Sequence, residues 1–142
     1  MRWVTRQDVR LAGTACPWLI TRFIDDDAEF GFFPPAEAAR AAALEQAKAF
    51  DVPDAEFGAA GGAFAAIIAA YNLVQPGLDP LAAIVAAAET GSDAAPEAAG
   101  LAAIVDGVAL STDSDIERQR LLWPVYDALL AVCAAREEEQ YG

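Results

Sequence analysis

The chain has no histidine, two cysteines and one methionine in 142 residues, and only 9 basic residues against 22 acidic ones. Without histidine, a Cys–His catalytic pair and a Cys2His2 zinc site are both impossible within the chain. Two cysteines are too few for a disulfide framework, which fits a reducing compartment. No stretch reaches the length of a membrane span. The longest uncharged run, Phe57 to Leu78, is broken by Gly58, Gly61, Gly62, Asn72, Gln75, Pro76 and Gly77. The opening MRWVTRQDVR has no apolar segment of the secretory kind, so a cytoplasmic protein is expected, with no membrane contact. No Gly-rich phosphate loop is present, and neither a cofactor nor a metal is expected.

What is abundant is alanine, 35 residues of it, which favours close-packed helices. The net charge of −13 is unevenly spread: residues 1–25 carry +2 and the remainder −15. So acidic a chain repels phosphate backbones, and no nucleic-acid binding is expected of this domain alone. A small anion would have to bind near the N-terminal arginines. The acidic excess elsewhere reads as a solvated surface.

Local signals predict about six helices and a small sheet of short strands, a mostly helical α+β fold in a single domain spanning 1–142. Trp3-Val4-Thr5 and Glu29–Phe33 read as strands, with further strand candidates at Phe50-Asp51-Val52 and Glu56-Phe57 around a Pro53-Asp54 turn. Leu11 to Ile24 reads as a helix, in one piece or broken at Gly13 or Pro17. Pro35 suits the first turn of a helix running to about Lys48. Phe64, Ile67, Ile68 and Tyr71 have the spacing of one buried helical face. Asp79-Pro80 marks a helix start, with Leu81, Ile84, Val85 and Ala88 inward and Gly91 as the stop. Pro96 opens the next helix, with face Leu101, Ile104, Val105 and Val108. Ser114 and Glu117 form a capping box for the last, whose face is Leu122, Val125, Leu129 and Val132 and which Pro124 bends or splits.

The stretch 14–27, TACPWLITRFIDDD, holds the candidate chemistry. If Pro17 begins a helical turn, Cys16 sits at the N-cap, where the helix dipole stabilises a thiolate. The alternative is a buried cysteine acting as a small hydrophobe among Ala15, Trp18, Leu19 and Ile20. Arg22 lies one helical turn after Trp18 and within reach of Asp25 and Asp26, so it serves either an ion pair or an oxyanion. Asp25-Asp26-Asp27 is a solvated loop or a cation site. Asp127, beside Tyr126 and between apolar positions, needs a partner such as Arg6 or Arg22.

These residues resemble a known family. TACPWLITRFIDDDAEFGFFP is similar to the signature of the C-terminal domain of ChrB-type chromate-resistance proteins. Trp3–Arg6, Ala95–Leu101 and Val125–Leu129 resemble its other blocks in the same order, so coverage runs from about residue 2 to 134. The resemblance implies a part in the stress response to chromate, as a domain that senses or binds the oxyanion. The family's Asp-Arg pair ahead of the ACPW block is Ala12-Gly13 here, a second arginine is Thr21, and a stretch bearing histidine and cysteine is replaced by residues 56–63. Carried over by position are Arg6, Cys16, Trp18, Arg22, Asp25, Tyr126 and Asp127, the candidate ligand-binding set. The leading expectation is an oxyanion-binding or sensing domain with no catalytic residue. The alternatives are a thiol-dependent reductase acting through Cys16, and a structural or partner-binding homologue without ligand that pairs as a homodimer.

Overall fold

The computed structural model describes residues 1–52, 55–58 and 62–141. Three short strands form a parallel sheet in the order β2-β1-β3: β1 is Arg2–Arg6, β2 is Glu29–Phe33 and β3 is Lys48–Ala49. Helix α1, Leu11–Phe23, connects β1 to β2, and α2, Pro35–Glu45, connects β2 to β3. Then follow α3, Ala63–Ala70; α4, Leu78–Thr90; α5, Ala98–Ser111; and α6, Asp115–Tyr141. Six helices and three strands give the α+β fold expected from the sequence.

Side-chain alternation along β1 divides the interior in two. Trp3, fully buried, joins the large helical core with Trp18, Phe64, Leu81 and Tyr126. Its neighbour Val4 points to the other face and packs with Ala38 and Ala42 of α2, Ala49 and Val52. The sheet thus lies between α2 on one side and the helical layer on the other. Trp18 is the hub of that layer, its indole stacked on Phe64 at 6.4 Å and meeting Phe23 and Tyr126 at 5.9 Å each.

Several boundaries shift from expectation for identifiable reasons. Pro17 lies inside α1 and does not start it, so Cys16 is a mid-helix residue and not an N-cap. A proline there deprives the Gly13 carbonyl of its helical donor, and the Gln119 amide of α6 supplies a long replacement at 3.5 Å. Pro124 likewise sits within one continuous α6. Helix α2 stops at Glu45, because Gln46 turns left-handed at φ 54°, which frees Lys48 to enter β3. Of the strand candidates at 50–52 and 56–57, only a single parallel bridge forms, between Phe50 and Phe57; the Pro53-Asp54 turn lies outside the described residues. Helix α4 begins at Leu78 after Gly77, one residue ahead of the expected Asp79 cap. Ser114 accepts the Glu117 N–H at 3.1 Å as a capping box requires, but the Glu117 carboxylate pairs with Arg120 and does not reach back. Pro35 occupies the first turn of α2, and Gly91 ends α4 at φ 72°, both as their chemistry dictates.

Candidate functional site

Two constellations hold the chemically interesting side chains. The first joins α1 to α6. Asp127 accepts the Trp18 indole N–H at 2.7 Å, and its two oxygens take the Arg22 fork at 3.1 and 3.0 Å. Arg22 also lies over the Trp123 ring at 5.5 Å. The Arg22 guanidinium and then the Trp18 indole hold the Asp127 carboxyl below the ordinary carboxylate range, against the opposing effect of burial. Tyr126, fully buried, places its hydroxyl 2.7 Å from that of Thr14, and burial raises its phenol well above the ordinary value. Asp25 takes the Met1 α-amino group at 3.0 Å and the Asp27 N–H at 3.2 Å, which closes the turn after α1. Trp18, Arg22 and Asp127 therefore spend their polar atoms on one another, and Tyr126, packed against Trp18, spends its hydroxyl on Thr14.

Cys16 is 0% exposed. Burial first, and then the negative field of Asp51 and Glu89, pushes its thiol well above the ordinary value, the reverse of an activated thiolate. Cys133 is also buried and free, and its thiol is raised, again chiefly by burial. Both thiols are expected to react with an aromatic disulfide reagent about 100-fold or more slowly than free cysteine at pH 8, and to react at full rate once urea unfolds the chain. A native Cys16 that titrates as fast as free cysteine would reinstate thiol chemistry.

The second constellation is a cleft of about 730 Å3. It lies at the carboxyl ends of all three parallel strands: Arg6 closes β1, Pro35 follows β2, and Asp51 follows β3, and all three line it. This is the end of a parallel sheet where ligands characteristically bind. Its floor includes Leu11, Ala12 and Gly13, the first turn of α1. That helix has no side-chain cap, so its leading N–H groups and the positive end of its dipole face the cleft. Gly13 belongs there for a steric reason: a Cβ would stand 2.7 Å from the Cβ of Val9.

Two arginines rim the cleft, and both are held loosely. Arg6 is half exposed and reaches Asp51 at 3.3 Å. Arg10 is 53% exposed and comes no nearer than 3.8 Å to Asp106 and 3.9 Å to Asp8. Four carboxylates share the lining. Asp8 is drawn below its ordinary range by Arg118, whereas burial raises Asp51, and burial with the field of Asp51 raises Glu89. Asp51 adopts a left-handed backbone, φ 56°, which strains a residue with a side chain.

Of the residues carried over from the signature, only Arg6 lines this cleft; Arg22 and Cys16 do not. Sequence reading placed any small anion near the N-terminal arginines without singling out Arg10, read Asp51 only as part of a strand candidate, and did not point to Glu89. The available signal was Arg6-Gln7-Asp8-Val9-Arg10, a polar loop from strand to helix, which gains meaning once the strands are known to be parallel. Among the described residues no group of three or more histidine, cysteine, aspartate or glutamate side chains converges as metal ligands. No described helix is long and apolar enough to cross a membrane.

In comparison with known proteins, the family model described as ChrB, C-terminal domain, matches residues 3–133. No curated protein and no solved structure matches the chain significantly. The matched span takes in the described strands except the first residue of β1, both constellations and all but the end of α6, and the chain belongs to the ChrB C-terminal domain family.

Proposed function

We propose that this chain works in the cytoplasm in chromate resistance, as a domain that binds or senses a small oxyanion in the cleft at the carboxyl ends of its strands. The observation that carries this reading is the convergence there of Arg6, Arg10 and the uncapped first turn of α1. A tetrahedral dianion matches the planar fork of arginine, and a helix N-terminus adds backbone donors. The existing contacts of both arginines are long enough to be exchanged for the ligand. In this assignment Trp18, Arg22, Tyr126 and Asp127 hold α1 against α6, and so hold the first turn of α1 in place.

The acids of the cleft set the pH dependence. Asp51 and Glu89 have raised pKa values, so they take up protons at higher pH than ordinary carboxyls do. Each proton gained removes a negative charge facing the anion, and affinity rises as pH falls toward those values. Calorimetry with chromate and with sulfate tests the reading, sulfate being the better pH probe because it remains a dianion from pH 7.5 to 5.5. Arg6→Ala is expected to weaken binding about 10- to 100-fold, the worth of a charge-assisted contact, whereas Arg22→Ala, which removes no cleft residue and only loosens the hold on α1, costs less than about 3-fold. Absence of heat with both anions across that pH range ends the proposal.

A further inference from the structure

The cleft carries more acid than its cations answer. Asp8 is held by Arg118, Asp51 by Arg6 at 3.3 Å and Asp106 by Arg10 at 3.8 Å. Glu89, the fourth acid of the lining, has no ion pair and no hydrogen bond among the described residues. Residues 53, 54, 59–61 and 142 include no lysine or arginine that could serve it. It also stands in the last turn of α4, where a carboxylate opposes the helix dipole and no basic side chain offsets it.

Anion binding enlarges the imbalance. A dianion that draws Arg6 and Arg10 onto itself leaves Asp51, whose side chain is 10% exposed, without its cation and in the field of Glu89. Protons relieve that pair only in acid solution, whereas a ligand that brings its own cation relieves it at neutral pH. The cleft has room for such a ligand. Its volume of about 730 Å3 falls within the roughly 300–1,000 Å3 of sites that hold small organic molecules, while a five-atom oxyanion displaces only a few waters of about 30 Å3 each. Ala88, Ala102 and Val105 offer an apolar wall to a carbon linker. We infer that the ligand of the cleft is an organic oxyanion that also carries an ammonium group. Its anionic end lies on Arg6, Arg10 and the first turn of α1, and its ammonium lies between Asp51 and Glu89. This inference rests on the anion-binding reading of the cleft and narrows it to a zwitterion.

Calorimetry of the full chain with aminoalkanesulfonates of two to four carbons, beside propanesulfonate and sulfate, tests this, because sulfonate and ammonium both keep their charges from pH 5.5 to 7.5. At pH 7.5 the best aminosulfonate is expected to bind about 10-fold or more tightly than propanesulfonate, the worth of one charge-assisted contact. Glu89→Gln and Asp51→Asn should each remove most of that advantage and strengthen sulfate binding, since each takes a negative charge out of the cleft. Asparagine tolerates the left-handed backbone at position 51, so the second variant keeps the local fold. The pH dependence reverses sign between the two ligands. The ammonium needs Asp51 and Glu89 ionised, so affinity for the aminosulfonate falls as pH drops toward their raised values, where affinity for sulfate rises. The other groups that face this pair are Arg6 from β1, Cys16 from α1 and Tyr126 from α6, and burial keeps the thiol and the phenol neutral throughout. Sulfate binding without an advantage for any aminosulfonate, or an advantage that survives both variants, would overturn the inference and leave the anion reading standing. Failure of every anion to bind ends both.

Discussion

Gly77→Ala is expected to destabilise the protein by about 4 kcal/mol, with a fall in Tm of roughly 15 °C. Two effects add. Gly77 has φ 83°, which costs an alanine roughly 1–2 kcal/mol in local strain. Its new Cβ would also stand 2.5 Å from the Ala134 nitrogen, 2.9 Å from the Ala134 Cα and 2.9 Å from the Leu130 oxygen. All three are backbone atoms of α6, so no rotamer change relieves the clash, and the start of α4 must separate from α6. That separation also breaks the bond from the Gly77 N–H to Glu137 at 2.7 Å. Gly91→Ala isolates the first effect, because φ is 72° there and nothing lies within 4 Å of the added carbon. That variant should lose only the local strain. Thermal melts of the two proteins settle the point: equal losses would mean that the approach of Gly77 to α6 is not rigid.

Parts of this fold were legible because their signals are local. Pro35, Ser114 and Gly91 act on their own helix ends, and each does so as its backbone chemistry requires. Pro17 misleads for the opposite reason. Its preference for a first turn is a local rule, and the carbonyl it orphans is met by Gln119 from α6, more than a hundred residues away. Burial register was harder to read in helices rich in alanine. Size does not mark the inner face when close helix approach calls for small residues: Ile104 is 47% exposed, while Ala98 and Ala109 face inward. The same holds in α6, where Val132 is outside and Cys133 inside.

The candidate site was legible in pieces. Asp127 was read as a partly enclosed acid in need of Arg6 or Arg22, and Arg22 is the partner. The cleft could not be read from spacing, because it exists only where the ends of three parallel strands meet. Asp51 becomes a lining residue through the place of β3 in the sheet, which no periodicity reveals. In α1 the two constellations share one rigid element: the clamp grips it through Trp18 and Arg22, and its first turn floors the cleft. A helix so fixed would present its N-terminal donors to the proposed anion without reorganising.

The lip of that cleft depends on a residue no motif singled out. Arg118 of α6 is 3% exposed and donates to three carbonyls: Thr112 at 2.8 Å, Val9 at 3.2 Å and Ala109 at 3.0 Å. It also pairs with Asp8, while the neighbouring Asp115 accepts the N–H groups of Val9 at 2.8 Å and Asp8 at 3.3 Å. Asp8 and Val9 are cleft-lining residues, so α6 holds the strand-to-helix loop from both its donors and its acceptors. Arg118→Met keeps most of the side-chain volume but leaves those carbonyls without their donor and Asp8 without its cation. Asp8 is itself 64% exposed, so the loss comes chiefly from the carbonyls left without a donor and is expected to be about 2–3 kcal/mol. Asp8 adds a pH signature. Arg118 depresses its pKa, so the stability this pair contributes is present above the unfolded-state pKa of Asp8 and fades as pH falls through the folded value. The gap between urea titrations of wild type and Arg118→Met should therefore narrow as the solution is acidified below pH 4, and the part due to the carbonyls should persist. Arg120→Met, which removes an exposed pair within one helical turn, serves as the control and should leave the midpoint unchanged. An Arg118→Met protein within 1 kcal/mol of wild type at pH 7 would show that the loop holds its place without α6, and that the cleft is shaped by the sheet alone.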